Sequence, residues 1–553
     1  MKKIFVSLMA VAALFTLASC EKNFDPKIYG TLSTTNFPAT TADFESELML
    51  CYTPYTTKWS HSISVQQHNF YGGEGPIWRM FDCSTDECAP IYHLNWGNAW
   101  LRLTQCAFSY YETQSRNYNS GSVSYYGGTR DVTRFTQIIG EFRDADESIL
   151  PAAKKKQFEA EARICRGLMM YYLLHIYGPL PLILDPALVG DDEAESKLER
   201  PTLDEMSQWI YDDFEYAAQN APERQSEQGR YTADYARFLL MRHCLNEGSH
   251  MSGWYQKAYD LKSQFTGGYK LFTDPGDSGN PYVELFRTKN DFSCEDIMEV
   301  SVSAGPTGSD SEGNFNAWYF YIASGNMSIQ KDASGNPYVD EDGKPQWNSK
   351  ATSVAPWGQC WNVDPNFWDT YEEGDLRRDV IVDHLYYRGV GWIGRKEIGD
   401  LWDGYIINKY PHEEGPNQYQ SNDVPLARWA DVLLLYAEAA VRKGNSVPAE
   451  AVSAVNEVRA RAGLPGLSAE KTASVEAFLD ALLLERGHEM LYEGCRKIDL
   501  IRFGKYYQTM SALGRTPDSQ YWPVPNALIE QAEGSGYNYA QYYTRPDYDG
   551  PQK

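Results

Sequence analysis

A chain of 553 residues, 42% hydrophobic and 23% charged, carries enough apolar side chain for a large core, and nothing in that balance enforces disorder. Its formal charge of −25, from 75 acidic against 50 basic residues, repels phosphate backbones and excludes nucleic acid as a natural partner. Aromatics reach 14%, with 40 Tyr and 15 Trp, and such a surplus of rings with polar tips points to wet, adhesive surfaces.

The first element is a leader. Lys2 and Lys3 precede an apolar run from Ile4 to Ala18, the pattern of a secretory signal. The run is too short to span a bilayer comfortably, which takes ~20 apolar residues. It ends in Leu17-Ala18-Ser19-Cys20, which looks like a bacterial lipobox, with the Cys20 thiol as the site of acylation. The plainer alternative is an ordinary signal peptide with an incidental cysteine. Acyl chains contribute ~0.8 kcal/mol per buried CH2, so more than one gives stable anchoring. On this reading residues 1–19 are a lipoprotein signal peptide, 20–40 a polar, turn-rich tether, and 41–553 the folded body.

Nine cysteines follow Cys20, an odd number that cannot all pair within the chain. Cys83 and Cys88, in FDCSTDECAP, are close enough in sequence for a local disulfide. No His stands at ligand spacing and no second Cys pair follows, so no metal site is expected. The surrounding stretch IWRMFDCSTDECAPIYHLNWGNAW gathers Trp78, Arg79, Tyr92, Trp96, Asn98 and Trp100. A flat indole covers the apolar face of a sugar ring while amide and guanidinium groups bond its hydroxyl rim, so this is a candidate carbohydrate surface. The competing reading packs Trp96 and Trp100 into the core. That competition is even for Trp100 and weaker for Trp96, which stands beside Gly97.

Helical periodicity dominates next. Phe158, Ala162, Cys165, Met169, Tyr172 and Ile176 form one face, ended by Gly178-Pro179. Thr202 and Glu205 offer a capping box for the following helix. GRYTADYARFLLMRHCLNEG and WYQKAYDLKSQF make a helical pair. From 265 to 425 the chain becomes turn-dense, with short alternating runs such as DIMEVSVSA reading as strands. Helices resume with Trp429, Leu433, Tyr436 and Ala440 on one face, then Ala451, Val455, Val458 and Ala462 on the next. This pair resembles a tetratricopeptide unit, though without the expected Gly and with a long second helix. Such pairs bury their faces only by stacking on neighbours.

The expected fold is therefore mainly α. Tetratricopeptide-like pairs form a right-handed scaffold over residues 155–265 and 425–510, with a few short strands and loop-rich ligand-binding regions over 50–130 and 270–425.

Taken in order, the lipobox, EARICRGLMMYYLLHIYGPLPLI, GRYTADYARFLLMRHCLNEG, YEEGDLRRDV, RWADVLLLYAEAAV, VNEVRARAGL, ERGHEMLYEGCRKIDLIRFG and YWPVPNALIEQ resemble the SusD/RagB family of nutrient-binding lipoproteins. The resemblance covers nearly the whole length. It implies a surface-exposed, lipid-anchored protein of the outer membrane that captures oligosaccharide and passes it to a SusC-like TonB-dependent transporter, without cofactor or catalysis. It also implies ligand-contacting aromatics from the early loop region and from loops past the central helices. On that implication Trp318, Tyr319 and Trp357 join Trp78, Arg79, Trp96 and Asn98 as ligand-binding candidates.

Other motifs have plainer readings. Glu485, Arg486, Glu489, Glu493, Arg496, Asp499 and Arg502 fall at helical spacings that favour structural ion pairs over catalysis. His175 is expected to cap a helix end or fill a half-buried slot rather than act as a base. Asp340 and Asp342 lack the ordered ligand series of a calcium loop and fit a hairpin turn. The rival function is a surface glycoside hydrolase or lyase, which needs paired loop carboxylates such as Asp364 and Asp369 across a groove. A peptide-binding member of the same family and a purely structural helical adaptor complete the alternatives.

Overall fold

The computed structural model describes residues 37–56, 70–71, 77–90, 92, 97–113, 125–303, 328–329, 347–348, 362–387, 391–410, 421–534 and 540–553. The leader, Cys20, most of the expected tether, Trp96, Trp318, Tyr319, Asp340, Asp342 and Trp357 lie outside them.

The body begins with α1 (Thr41–Tyr52), where the Thr40 hydroxyl accepts the Asp43 N–H and the Asp43 carboxylate accepts the Thr40 N–H. Two short helices, α2 (Ile77–Asp82) and α3 (Gly97–Thr104), interrupt a region expected to be loop. Then come α4 (Gly128–Asp144), α5 (Ala152–Tyr177), α6 (Leu203–Asn220), α7 (Ala233–Glu247) and α8 (Trp254–Leu261). The capping box at Thr202 and Glu205 is present. From Phe158 onward α5 is buried nearly all round, not along one stripe, because α1 and α4 cover it on one side and α6 on another. Gly167 makes the approach of α6 possible: a Cβ there would stand 2.8 Å from the Phe214 ring. The helix stops at Gly178, whose φ of 76° suits glycine.

The turn-dense region holds short strands. β1 (Asp296–Val300), β2 (Ser328–Ile329), β3 (Trp347–Asn348), β4 (Asn362–Val363), β5 (His384–Tyr387), β6 (Gly391–Gly394), β7 (Tyr405–Ile406) and β8 (Val424–Arg428) are joined with the one-turn helix α9 (Pro365–Trp368) and with α10 (Arg395–Trp402). β1 pairs antiparallel with β8, β4 with β7, and β2-β3-β5-β6 form a four-stranded sheet. The β1–β8 ladder is a neck: it closes residues 301–423 into an excursion and returns the chain beside its point of departure.

Beyond the neck lie α11 (Trp429–Gly444), α12 (Ala449–Arg461), α13 (Val475–Glu489), α14 (Arg496–Arg502) and α15 (Tyr506–Ala512). Packing runs as a row: α4 on α5, α5 on α6, α6 on α7, α7 on α8, then α8 on α11 and α11 on α12 and α13. The stack thus continues across the excursion. The fold is mainly helical, with the stacked pairs the sequence suggested.

The charged motif near residue 490 is structural, but its geometry differs from the expected local pairing. Arg502–Asp499, at 2.7 Å, keeps a helical i,i+3 spacing. The other pairs reach across the fold. Glu485 binds Arg377 (2.7 Å) and Arg459 (2.8 Å), and Glu493 binds Arg428 (2.5 Å) and Lys409 (2.6 Å). Arg486 binds Asp431 (2.6 Å) and Asp499 (2.7 Å), and Arg496 binds Asp86 (2.8 Å). Glu489 receives Arg428 (3.0 Å), Arg377 (3.4 Å) and Arg461. Burial pushes its carboxyl up, yet the three guanidiniums win and hold it at about 2.

Three substitutions test this account. Arg428→Met strands Glu295, Glu489 and Glu493 without their shared cation and is expected to cost about 3–5 kcal/mol, seen as a large fall in melting temperature. Lys505→Met, which breaks the half-exposed pair with Asp480, is expected to cost under about 1 kcal/mol. Lys497 is the opposite case. It lies 4.0 Å from the Phe108 ring and 5.2 Å from that of Tyr506, with no ion pair among the described residues, and burial pulls its pKa down to about 7. The unfolded chain, with an ordinary lysine at 10.5, binds more protons between pH 7 and 10.5. Lysine here therefore destabilises fully below pH 7 and not at all above the unfolded value. Lys497→Met is expected to raise the melting temperature at pH 6–7, the gain shrinking steadily in melts taken at higher pH.

Candidate functional site

Three stretches of chain distant in sequence meet where the aromatic segments leave the body. Residues 82–92, 362–371 and 395–406 are stitched backbone to backbone. Cys88 bridges Val363, the Ala89 N–H donates to the Asn362 carbonyl at 2.8 Å, and the Asp364 N–H donates to the Glu87 carbonyl at 2.9 Å. β4 pairs with β7 on its other edge. Gly404 is required at the junction, since a Cβ there would lie 2.8 Å from Ala89 Cβ, Asn362 Cβ and the Val363 carbonyl. Asp403 takes a left-handed turn (φ 65°) after α10 and accepts the Tyr92 N–H at 2.7 Å. Tyr92 is 63% exposed, so a large aromatic is presented to solvent one step before the segment carrying Trp96.

This junction is fixed to the C-terminal helices. Asp82 accepts the Gly494 N–H at 2.6 Å and the Arg496 N–H at 3.1 Å. Arg515 donates to the Cys88 carbonyl at 2.5 Å and to Asp364 at 3.1 Å. Phe367 sits edge-on to His488, and Tyr371 stacks on the same imidazole at 3.9 Å. Burial drives the His488 pKa well down, with nearby arginines adding to it, so it is a neutral packing surface. These contacts fix the junction itself, and a binding surface needs such a firmly packed support.

Trp78 and Arg79 lie on α2, whose flanking Ile77, Met80 and Phe81 are buried; Asn98 and Trp100 lie on α3. The side chains of these four are outside the described residues, as is all of Trp96. Trp318, Tyr319 and Trp357 belong to the 304–361 span that departs from the neck after Ser303 and re-enters the junction at Asn362, outside the described residues apart from β2 and β3. The structure joins residues 87–89 to 362–364, and the candidate side chains themselves lie outside the described residues.

Residues not singled out by the sequence reading stand beside it. Trp368, on α9, meets Tyr405 edge-on at 6.1 Å and Tyr371 at 5.9 Å, and carries the guanidiniums of Arg395 (3.8 Å) and Arg378 (4.5 Å) against its ring. The only local signal was a Trp inside turn-dense sequence and a paired Arg in DLRRDV. Asp364 and Asp369 do not make two open carboxylates. Asp364 is buried, caps α9 by accepting the Asn366 N–H at 2.8 Å, and is paired with Arg515; Asp369 alone is exposed. His175 is likewise in the core, held down to about 3 chiefly by burial, with Tyr171 packed edge-on at 4.5 Å. Cys83 and Cys88 are both buried and no disulfide joins them, so the local bridge left open by the sequence is not formed.

The SusD family model matches residues 204–544, well over half the chain. SusD-like protein P38 of Formosa agariphila is 29% identical over 209 residues, covering 35% of this chain and 40% of that protein. The starch-binding protein SusD of Bacteroides thetaiotaomicron is 26% identical over 480 residues, covering 78% of each. The chain thus spans well under two thirds of the first relative's length and more than that of the second. Among solved structures, surface glycan-binding protein A of Bacteroides thetaiotaomicron in complex with laminarihexaose superposes with a TM-score of 0.65 at 18% identity, covering 91% of this chain and 100% of that one. The overall fold accords with that match, and the chain belongs to the SusD family.

Proposed function

We propose that this protein captures oligosaccharides outside the cell, held to the outer membrane by a lipid on Cys20, and hands them to a SusC-like TonB-dependent transporter without chemically altering them. The observation that carries the reading is the junction of residues 82–92, 362–371 and 395–406, a rigid base from which the Trp-bearing segments depart. Family membership and the relatives' names, a starch-binding protein and a laminarihexaose complex, support a glycan as cargo. In this reading Trp78, Trp96, Trp318, Tyr319 and Trp357 stack on sugar faces, while Arg79 and Asn98 bond hydroxyl rims. Modest affinity suits the role, because a carrier that holds too tightly cannot release to its transporter.

Isothermal titration of the full folded chain against soluble glycans tests the reading. Each stacked ring contributes ~0.5–1.5 kcal/mol, so replacing Trp78, Trp96, Trp318 and Trp357 together by Ala is expected to weaken binding on the order of 100-fold. Unchanged affinity in a variant with wild-type melting temperature defeats the site assignment. Incubation with the bound glycan is expected to leave its chain length unaltered; shortened products favour the hydrolase reading instead.

A further inference from the structure

Most buried arginines here have a carboxylate in contact, as expected with 75 acidic residues against 50 basic. The half-buried Arg378 and Arg395 do not. Both lie against the Trp368 ring, at 4.5 and 3.8 Å, which sets their Cζ atoms within about 8 Å of each other. Among the described residues neither guanidinium makes an ion pair or a side-chain hydrogen bond, and Arg395 Nε is buried without a partner. A buried donor left unmade costs free energy, so an acceptor arriving beside the two guanidiniums would be stabilised.

The local charge is not neutralised by contact. Asp379 and Asp383 favour the charged form of Arg395 from a distance, but Asp379 accepts from Asn280 at 3.0 Å and Asp383 faces His384 at 2.7 Å. Burial, and the like charge of Arg378, pull Arg395 below its ordinary pKa, which marks a cation short of a counter-ion. The cluster also has an address. Arg395 opens α10 and Asp403, at its far end, holds Tyr92, so the helix rise puts about 12 Å between the arginines' base and the Tyr92 anchor. One ligand several rings long reaches both.

We infer that Arg378 and Arg395, braced on Trp368, form a subsite for an oxyanion carried by a sugar ring, making the cargo an acidic oligosaccharide. The shared chemistry is a planar or tetrahedral oxyanion, a uronate carboxylate or a sulfate ester, and forked guanidinium donors match both. The inference rests on the glycan-capture reading and narrows it.

The test is titration of the full chain with oligosaccharides in charged and neutral pairs: oligogalacturonate and heparin-derived oligosaccharides for the two oxyanions, each beside its methyl-esterified or desulfated counterpart. An anionic member is expected to bind about tenfold or more tightly than its neutral partner, with affinity falling as salt rises in the unmutated protein. Preference for oligogalacturonate assigns the carboxylate, and preference for the heparin fragment assigns the sulfate. Arg378→Gln with Arg395→Gln is expected to abolish the preference while sparing any neutral glycan that binds. Binding of neutral glycans with no anionic preference overturns the subsite and leaves glycan capture standing. Salt-insensitive anionic binding, unchanged in the folded double variant, overturns it too. Absence of heat with every glycan defeats both.

Discussion

Glu489 is the point on which the architecture turns. It is a carboxylate with no exposure to water, and it persists as an anion because guanidiniums from three separate parts of the chain converge on it. Arg428 arrives from the end of the neck, Arg461 from α12, and Arg377 from inside the excursion. Taking such groups out of water is costly, so none of the three segments can be placed without the others. Hydrophobic stacking could assemble the helices in several registers. The charge lattice admits one, and it joins scaffold to excursion through geometry that apolar contact alone does not specify.

From that lattice the order of construction is clear. The helices stack because each has an apolar face that only a neighbour can cover. The neck returns the chain to the stack, Arg377 clamps the excursion to Glu485, and the Asp82, Arg496 and Arg515 contacts seat the early segment on the same helices. The junction near Tyr92 is the outcome, positioned by its contacts to the C-terminal helices.

The sequence disclosed what is local. Gly178 as a helix stop, the Thr202–Glu205 box, the buried face of Ala451, Val455, Val458 and Ala462 and the strand in DIMEV were all legible, because caps, periodicity and strand propensity act over a few residues. What it withheld is set by long-range closure. Helical spacing suggested that Glu489 pairs along its own helix, whereas its partners stand 28, 61 and 112 residues away. Full burial of α5 depends on which helices land on it, which no stripe records. Trp368 and Arg395 lie 27 positions apart in turn-dense sequence, and nothing in either neighbourhood announces that they meet. The aromatic candidates were read from composition and family likeness, and their anchors, rather than their rings, are what the fold makes visible.

The neck carries a consequence for how such proteins diversify. β1 and β8 join entry to exit at the neck, and from inside the excursion Arg377 reaches back to Glu485 and Glu489 of the stack. Closing a longer loop costs only about 0.6 kcal/mol per doubling of its length. In chain entropy alone, then, a longer segment between Ser303 and Asn362 costs the stack little. Length is thus the cheapest property of this molecule to change, and the neck is what makes it cheap.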